Sequence, residues 1–281
     1  MNVGWLIDAQ MFDAYRDDLV ASVRRRGYEA KLIRAPSPPY RWDDVGYSYR
    51  DAFPKDACVV THGDIELVTR IVGEQRWIPG VYATVDHYRC SAYFCHFGGL
   101  LLNRKYIMLP FGELRRCQEF LFDTVGIAGR IFVRPDSPLK LFTGQVVSAS
   151  SFDADLEFMG FYDFPAESMV VVSAPQSIDV EWRFVVAGRR VIAGSQYKRQ
   201  GKIDPQASYH AEAMKLASQI ALSGFQPDRV WVMDICRTTD GRYSMLEIGG
   251  FSFADLYACD KDAIVSEDSR VAVADWEAAN D

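Results

Sequence analysis

At 281 residues, 49% hydrophobic and 25% charged, the chain has an ordinary globular composition and enough length to bury a core without disulfide or metal staples. Its net charge of -7 argues against general nucleic-acid or membrane-surface binding. The opening MNVGWLID has no basic region and is broken at Asp8, and no stretch approaches the ~20 apolar residues that span a bilayer, so a soluble, cytoplasmic protein is expected.

Residues 3–7 form a short apolar run, a candidate first strand. A helix is expected over 11–26, closed by Gly27 as its C′ residue, and a second strand over 28–34. Ala35-Pro-Ser-Pro-Pro-Tyr40 reads as loop. A strand over 57–61 and a helix over 64–72 follow. This alternation predicts a small α/β domain over 1–109. Within it, residues 77–103 are rich in aromatics without a clean period and read as loop and short elements.

A second unit is expected over 110–265. Leu114, Cys117, Leu121 and Val125 fall on one helical face, which Gly126 and Gly129 end. A strand over 130–133 and a helix over 152–158 follow, and beyond Met169 the chain is strand-rich. Strands are expected over 169–173, 180–187 and 190–195, the last two flanking Gly188-Arg189 as a hairpin. A helix over 207–222 carries Met214, Ala217 and Ala221 on one face. Strands over 229–235 and 243–248 flank Asp240-Gly241, a strong turn signal. Residues 266–281 are polar or small and are expected as a flexible tail.

Three constellations could carry chemistry. Arg134 ends a strand and Lys140 follows a turn, and two such cations can hold a polyanion or simply decorate a solvated turn. In Glu181-Trp-Arg183-Phe, strand alternation puts Glu181 and Arg183 on one face and Trp182 and Phe184 on the other. That face suits an ATP cleft, or equally a cross-strand salt bridge. Asp234 and Glu247 sit inside apolar strands joined by the Asp-Gly turn. A carboxylate there is costly unless it is paired or binds a cation. The pair points to magnesium, which takes one or two carboxylates with phosphates and water; the alternative pairs each with a buried arginine. His87, Cys90, Cys95 and His96 lie close together, but their spacing does not match zinc knuckles, and the six cysteines are expected as buried reduced thiols. Neither a P-loop nor a strand–GxGxxG–helix unit is present.

The order of basic strand-turn, hinge strand, Glu-x-Arg strand, helix, Asp strand and Glu strand resembles an ATP-grasp domain. The pattern is most similar to a phage and bacterial clade defined by two arginines and one lysine. The resemblance rests on 132–144, Glu181-Trp-Arg183-Phe, Ser195-Gln-Tyr197 and Asp234…Glu247…Tyr257-x-x-Asp260, and covers about 110–262. It implies an α+β fold, two lobes clamping ATP behind a small α/β N-terminal domain. It further implies Arg134, Lys140 and Arg183 as phosphate-binding cations, with Lys140 and Arg183 catalytic. Val170, Val171, Val172 and Ser173 become a hinge whose backbone reads adenine, and Asp234 and Glu247 the magnesium ligands. Glu181 would contact the nucleotide or orient Arg183, and Ser195, Tyr197 and Lys198 would face the acceptor. The implied reaction joins a carboxylate to an amine, on a peptide or amino acid, through an acyl phosphate. A phosphotransferase and a nucleotide-binding protein without turnover are the alternatives. The sequence departs from the wider superfamily at Gly249, where many members have a metal-binding Asn; Ser252, water or Asp255 could substitute.

Overall fold

The apolar run at the start of the chain becomes the centre of a parallel sheet. A computed structural model describes residues 2–34, 36, 49–139, 142–160 and 164–281, and among these the chain forms three sheets. The first comprises β1 (Gly4–Asp8), β2 (Glu29–Ile33), β3 (Cys58–His62) and β4 (Ile78–Gly80) in the order β2-β1-β3-β4, all parallel. Helices α1 (Arg16–Arg25) and α2 (Ile65–Glu74) are its crossovers. β1 is buried on both faces, as a central parallel strand requires: Trp5 and Ile7 point to one core and Leu6 to the other. Asp64 starts α2 by accepting the Leu67 N–H at 2.6 Å. The loop expected over 35–40 lies, Pro36 apart, outside the described residues.

Residues 77–103 hold more regular structure than their pattern suggests, including α3 (Cys90–Phe97) as well as β4. The second sheet begins at β5 (Tyr106–Pro110), ahead of the boundary expected at 110. It continues through α4 (Gln118–Val125), β6 (Arg130–Pro135), β7 (Gln145–Ser148), α5 (Phe152–Gly160) and β8 (Met169–Ser173), with strand order β5-β8-β6-β7. Leu121 of α4 and Leu156 of α5 cover one face, meeting Ile131, Val133, Val170 and Val172.

The third sheet is antiparallel: β9 (Ile178–Ala187), β10 (Arg190–Arg199), β11 (Lys202–Gln206), β12 (Val230–Thr238) and β13 (Tyr243–Gly250), in the order β11-β10-β9-β12-β13. Both expected hairpins form. Gly188 and Arg189 have φ of 53° and 67°, the left-handed pair of a two-residue turn. Helix α6 (Ala211–Ala221) covers one face through Ala213, Ala217 and Ile220.

The expected tail is instead the greater part of α7 (Lys261–Asn280). Asp260 caps this helix, accepting from the Asp262 and Ala263 N–H groups. Ile264, Val265, Val271 and Ala272 share one core with β1, β3 and the Val185, Val230 and Val232 side of the third sheet. The apolar stripe is hard to read because two of its buried positions are the polar Asp268 and Ser269. No described helix is long and apolar enough to cross a membrane.

Candidate active site

Arg183 on β9 and Asp234 on β12 are register partners. Trp182 and Phe184 enter the α6 core, so Glu181 and Arg183 leave by the other face, as alternation requires. Arg183 Nε and Nη2 donate to Asp234 Oδ1 and Oδ2, each at 2.8 Å. Nη1 donates to the Asp255 carbonyl at 2.9 Å. Burial opposes the charge on Arg183, but Asp234 outweighs it and raises the guanidinium above its ordinary value. Burial also pushes the Asp234 carboxyl up against the pull of Arg183, and Glu247 and Glu181 add to the rise.

Glu247 on β13 is the register partner of Asp234. It accepts from Arg134 Nη2 at 3.0 Å. Arg134 comes from β6, so this ion pair ties the second sheet to the third. Each carboxylate is thus paired with a buried or half-buried arginine, the alternative left open by the sequence. Lys140 lies outside the described residues.

Glu181 completes the cluster. Lys198 on β10 is its register partner and approaches its Oε1 at 3.1 Å. Tyr197 donates to Glu181 Oε2 at 2.5 Å and lies 3.1 Å from Asp234 Oδ2. Two consecutive residues reach one carboxylate because β10 bulges between Gln196 and Lys198. Burial, then Asp234 and Glu181, raise the Tyr197 hydroxyl well above its ordinary value, so it remains a donor.

Two expected contacts need correction. Ser195 is fully buried; its Oγ donates toward the Gln196 and Gln206 carbonyls and accepts from Ala258 N–H, so it faces backbone rather than an acceptor. β8 is an interior strand, with Val170, Val171 and Val172 paired to both β5 and β6. Its ladder groups are committed, and the segment outside the ladder is 174–177, which crosses to β9. Ser173, as fully buried as the valines, differs in its Oγ, which has no hydrogen-bond partner among the described residues.

The side chains of the cysteine–histidine group turn to other partners. His96 stacks on Phe225 at 4.4 Å, His87 Nδ1 contacts the Pro227 carbonyl, and no group of three or more His, Cys, Asp or Glu among the described residues is placed to hold a metal. All six cysteines are free, but Cys95 is exposed and Cys117 half-buried, contrary to the expectation of burial.

Asp234 and Glu247 fit magnesium as a two-carboxylate set. The Glu247 side chain is 30% exposed, so a cation can reach it from solvent. Asp234 accepts two hydrogen bonds from Arg183, with the Tyr197 hydroxyl 3.1 Å from its Oδ2, and a carboxylate offers about four such positions. Gly249 supplies nothing, and a Cβ there would meet only Val232 Cγ2, at 3.3 Å. Ser252 is no substitute, because it is fully buried and its Oγ accepts from Tyr82 N–H at 2.9 Å.

Sequence reading assigned no role to the strap between β13 and α7 as a whole. The start of α1 and the end of β3 hold it: Tyr15 hydroxyl accepts from Leu256 N–H at 3.0 Å and contacts His62 Nε2 at 3.1 Å. Lys261 Nζ donates to the Tyr257 and Cys259 carbonyls. The Tyr15 contacts span 241 and 47 positions, too far for spacing to signal them. A cavity of about 550 Å³ lies beside this strap, between Asp18, Gly194, Tyr209 and Asp260, and none of Arg134, Arg183, Asp234 or Glu247 lines it.

The ATP-grasp domain family that is the second family of the clade of two arginines and one lysine matches residues 104–266. Among solved structures, D-cycloserine synthetase DcsG is 15% identical, with a TM-score of 0.62 over 96% of this chain and 99% of that one. D-alanyl-alanine synthetase A from Vibrio cholerae is 10% identical, TM-score 0.62, over 98% and 99%. The ATP-grasp ligase PsnB, solved with a minimal precursor, is 13% identical, TM-score 0.56, over 98% and 99%. At these identities the likeness establishes the fold. No curated protein matches the sequence.

Proposed function

The chain belongs to this ATP-grasp family, and on that footing we propose that it is an ATP- and magnesium-dependent ligase joining a carboxylate to an amine through an acyl phosphate. The observation that carries the reading is the meeting of Arg134, from one sheet, with Glu247, Asp234 and Arg183 of the other. Cations approaching from two sheets around adjacent carboxylates suit a triphosphate with its metal. The similar ligase from Bacillus anthracis, 13% identical with a TM-score of 0.59 over 99% of each chain, was solved with ATP.

ATP would lie between the second and third sheets. Ser173 Oγ is a buried polar atom in want of a partner beside the 174–177 crossing, which fits a base edge. Arg134 and Arg183, with Lys140, would hold the phosphates. Magnesium, if held by Glu247 and Asp234, would supply positive charge against the phosphates. An acceptor carboxylate oxygen attacks the γ-phosphorus, the bond to the β–γ bridging oxygen breaks, and ADP leaves with that electron pair. The amine then attacks the acyl carbon, loses a proton, and phosphate departs. Both steps gain chiefly from positioning and from fixed charge at the transferring group. Tyr197 keeps Glu181 and Asp234 in place while Lys198 balances Glu181.

Isothermal titration with magnesium and ATP tests the nucleotide half. Saturable binding that weakens in Lys140→Ala and Arg134→Ala is expected; no binding at millimolar nucleotide overturns the reading. An amine screen following phosphate release tests ligation. A stably phosphorylated product with no amine dependence would mark a phosphotransferase. Gly249 favours one further reading, a nucleotide binder without turnover, and ADP formation lost in Glu247→Ala would exclude it.

A further inference from the structure

Tyr257 opens the Tyr257-x-x-Asp260 motif, whose Asp260 caps α7. Its ring stacks on Tyr197, centroids 4.8 Å apart and planes 9° from parallel. The Arg183 guanidinium carbon lies 5.3 Å from the Tyr257 ring centroid and 5.6 Å from that of Tyr197. Both rings are within cation–π range of one buried cation.

The backbone at Tyr257 has φ of 45°, a left-handed conformation disfavoured for a residue with a Cβ. The surrounding contacts over-determine it. Tyr257 N–H donates to Asp255 Oδ1 at 2.8 Å, and its carbonyl accepts from Lys261 Nζ at 2.7 Å. On either side, Leu256 N–H is bound by Tyr15 and Ala258 N–H by Ser195. Strain held this firmly beside a functional arginine is what a positioning role requires. The same contacts give buried Ser195 a purpose: it anchors the strap.

We propose that Tyr257 is a positioning residue which, stacked on Tyr197, fixes the Arg183 guanidinium for the terminal phosphates of the bound nucleotide. Asp234 holds one edge of that guanidinium through Nε and Nη2, and the Asp255 carbonyl holds Nη1, while the aromatic pair limits how its plane tilts. This role rests on the assignment of Arg183 to the phosphates made above.

Titration of the full chain with magnesium and ATP, and separately with AMP, reads the effect. Tyr257→Leu is expected to weaken ATP binding roughly tenfold while leaving AMP binding as in the parent, because AMP has no terminal phosphates for Arg183 to meet. Tyr257→Phe, which keeps the ring, should recover most of the loss. A role confined to folding would lower ATP and AMP affinity together and lower the melting temperature, and that result overturns the positioning role. ATP affinity unchanged in Tyr257→Leu overturns it too. If Arg183→Lys weakens ATP binding while Tyr257→Leu does not, the nucleotide reading stands and Tyr257 falls. A parent that binds neither nucleotide removes both.

Discussion

Arg183 and Asp234 form a two-point fork at 2.8 Å, buried between β9 and β12 with only 8% and 2% of their surfaces exposed. Removing one partner leaves the other charge buried and uncompensated. Asp234→Ala should therefore cost about 3–5 kcal/mol of stability, read by urea denaturation. The double variant Arg183→Met, Asp234→Leu should recover most of that loss, since an apolar pair of similar volume needs no charge compensation. It should also lose ATP binding. A double variant as unstable as Asp234→Ala would count against the fork as the source of the cost.

Gly249 leaves room where a third metal ligand can be added. A Cβ would meet only Val232 Cγ2, at 3.3 Å, and that methyl must yield by a few tenths of an ångström. Gly249 and Glu247 are two apart on β13, on one face of the strand. Gly249→Asn should accordingly fold and lower the magnesium concentration needed for nucleotide binding, by roughly threefold to tenfold for one added oxygen ligand. Titration of magnesium at fixed ATP measures the midpoint, and a midpoint unmoved or raised would refute the added ligand.

Much of this site was legible because strands announce themselves by alternation and turns by glycine. Glu181 and Arg183 against Trp182 and Phe184, and the Asp-Gly turn pairing Asp234 with Glu247, are local patterns, and the structure keeps both. The arginine partners of the two carboxylates are separated from them by 51 and 113 positions, so sequence could only pose the choice between metal and ion pair. The family resemblance implied that Ser195 would face the acceptor, yet its hydroxyl accepts from the strap's Ala258 N–H, a contact 63 positions away in sequence. α7 was missed because its buried face contains Asp268 and Ser269 as well as Val265 and Ala272.

His62 should make the protein acid-sensitive. Burial first lowers its pKa from 6.5 to about 3, so it is neutral when folded. Its ring lies 4.5 Å from that of Phe12 and 5.3 Å from that of Phe251, and Nε2 meets the Tyr15 hydroxyl. The unfolded chain takes up the proton between about pH 6.5 and 3. The stability contributed by neutral His62 is therefore full above about 6.5 and is lost as pH falls toward 3. Urea titrations between pH 6 and 4 should show a slope of up to about 1.4 kcal/mol per pH unit in the parent that is absent in His62→Gln. Equal slopes in the two proteins would remove His62 as the source.

Asp268 should act with the opposite sign. It lies on the buried face of α7, neither carboxyl oxygen has a hydrogen-bond partner among the described residues, and the neighbouring Ser269 is bound by Trp5 Nε1 at 3.0 Å. Burial, with a smaller contribution from Glu267, raises its pKa well above 3.8. The folded protein therefore keeps a proton that the unfolded chain has released. That contribution to stability is complete below about pH 3.8 and is lost as pH rises through the folded-state pKa. Asp268→Asn replaces the neutral acid by a neutral group of the same shape, so it should match the parent at low pH and become the more stable protein as pH rises. The melting-temperature difference between the two should thus widen from pH 5 to pH 8. A difference that stays constant would mean that Asp268 has the same protonation folded and unfolded, and that its charge is compensated where it sits.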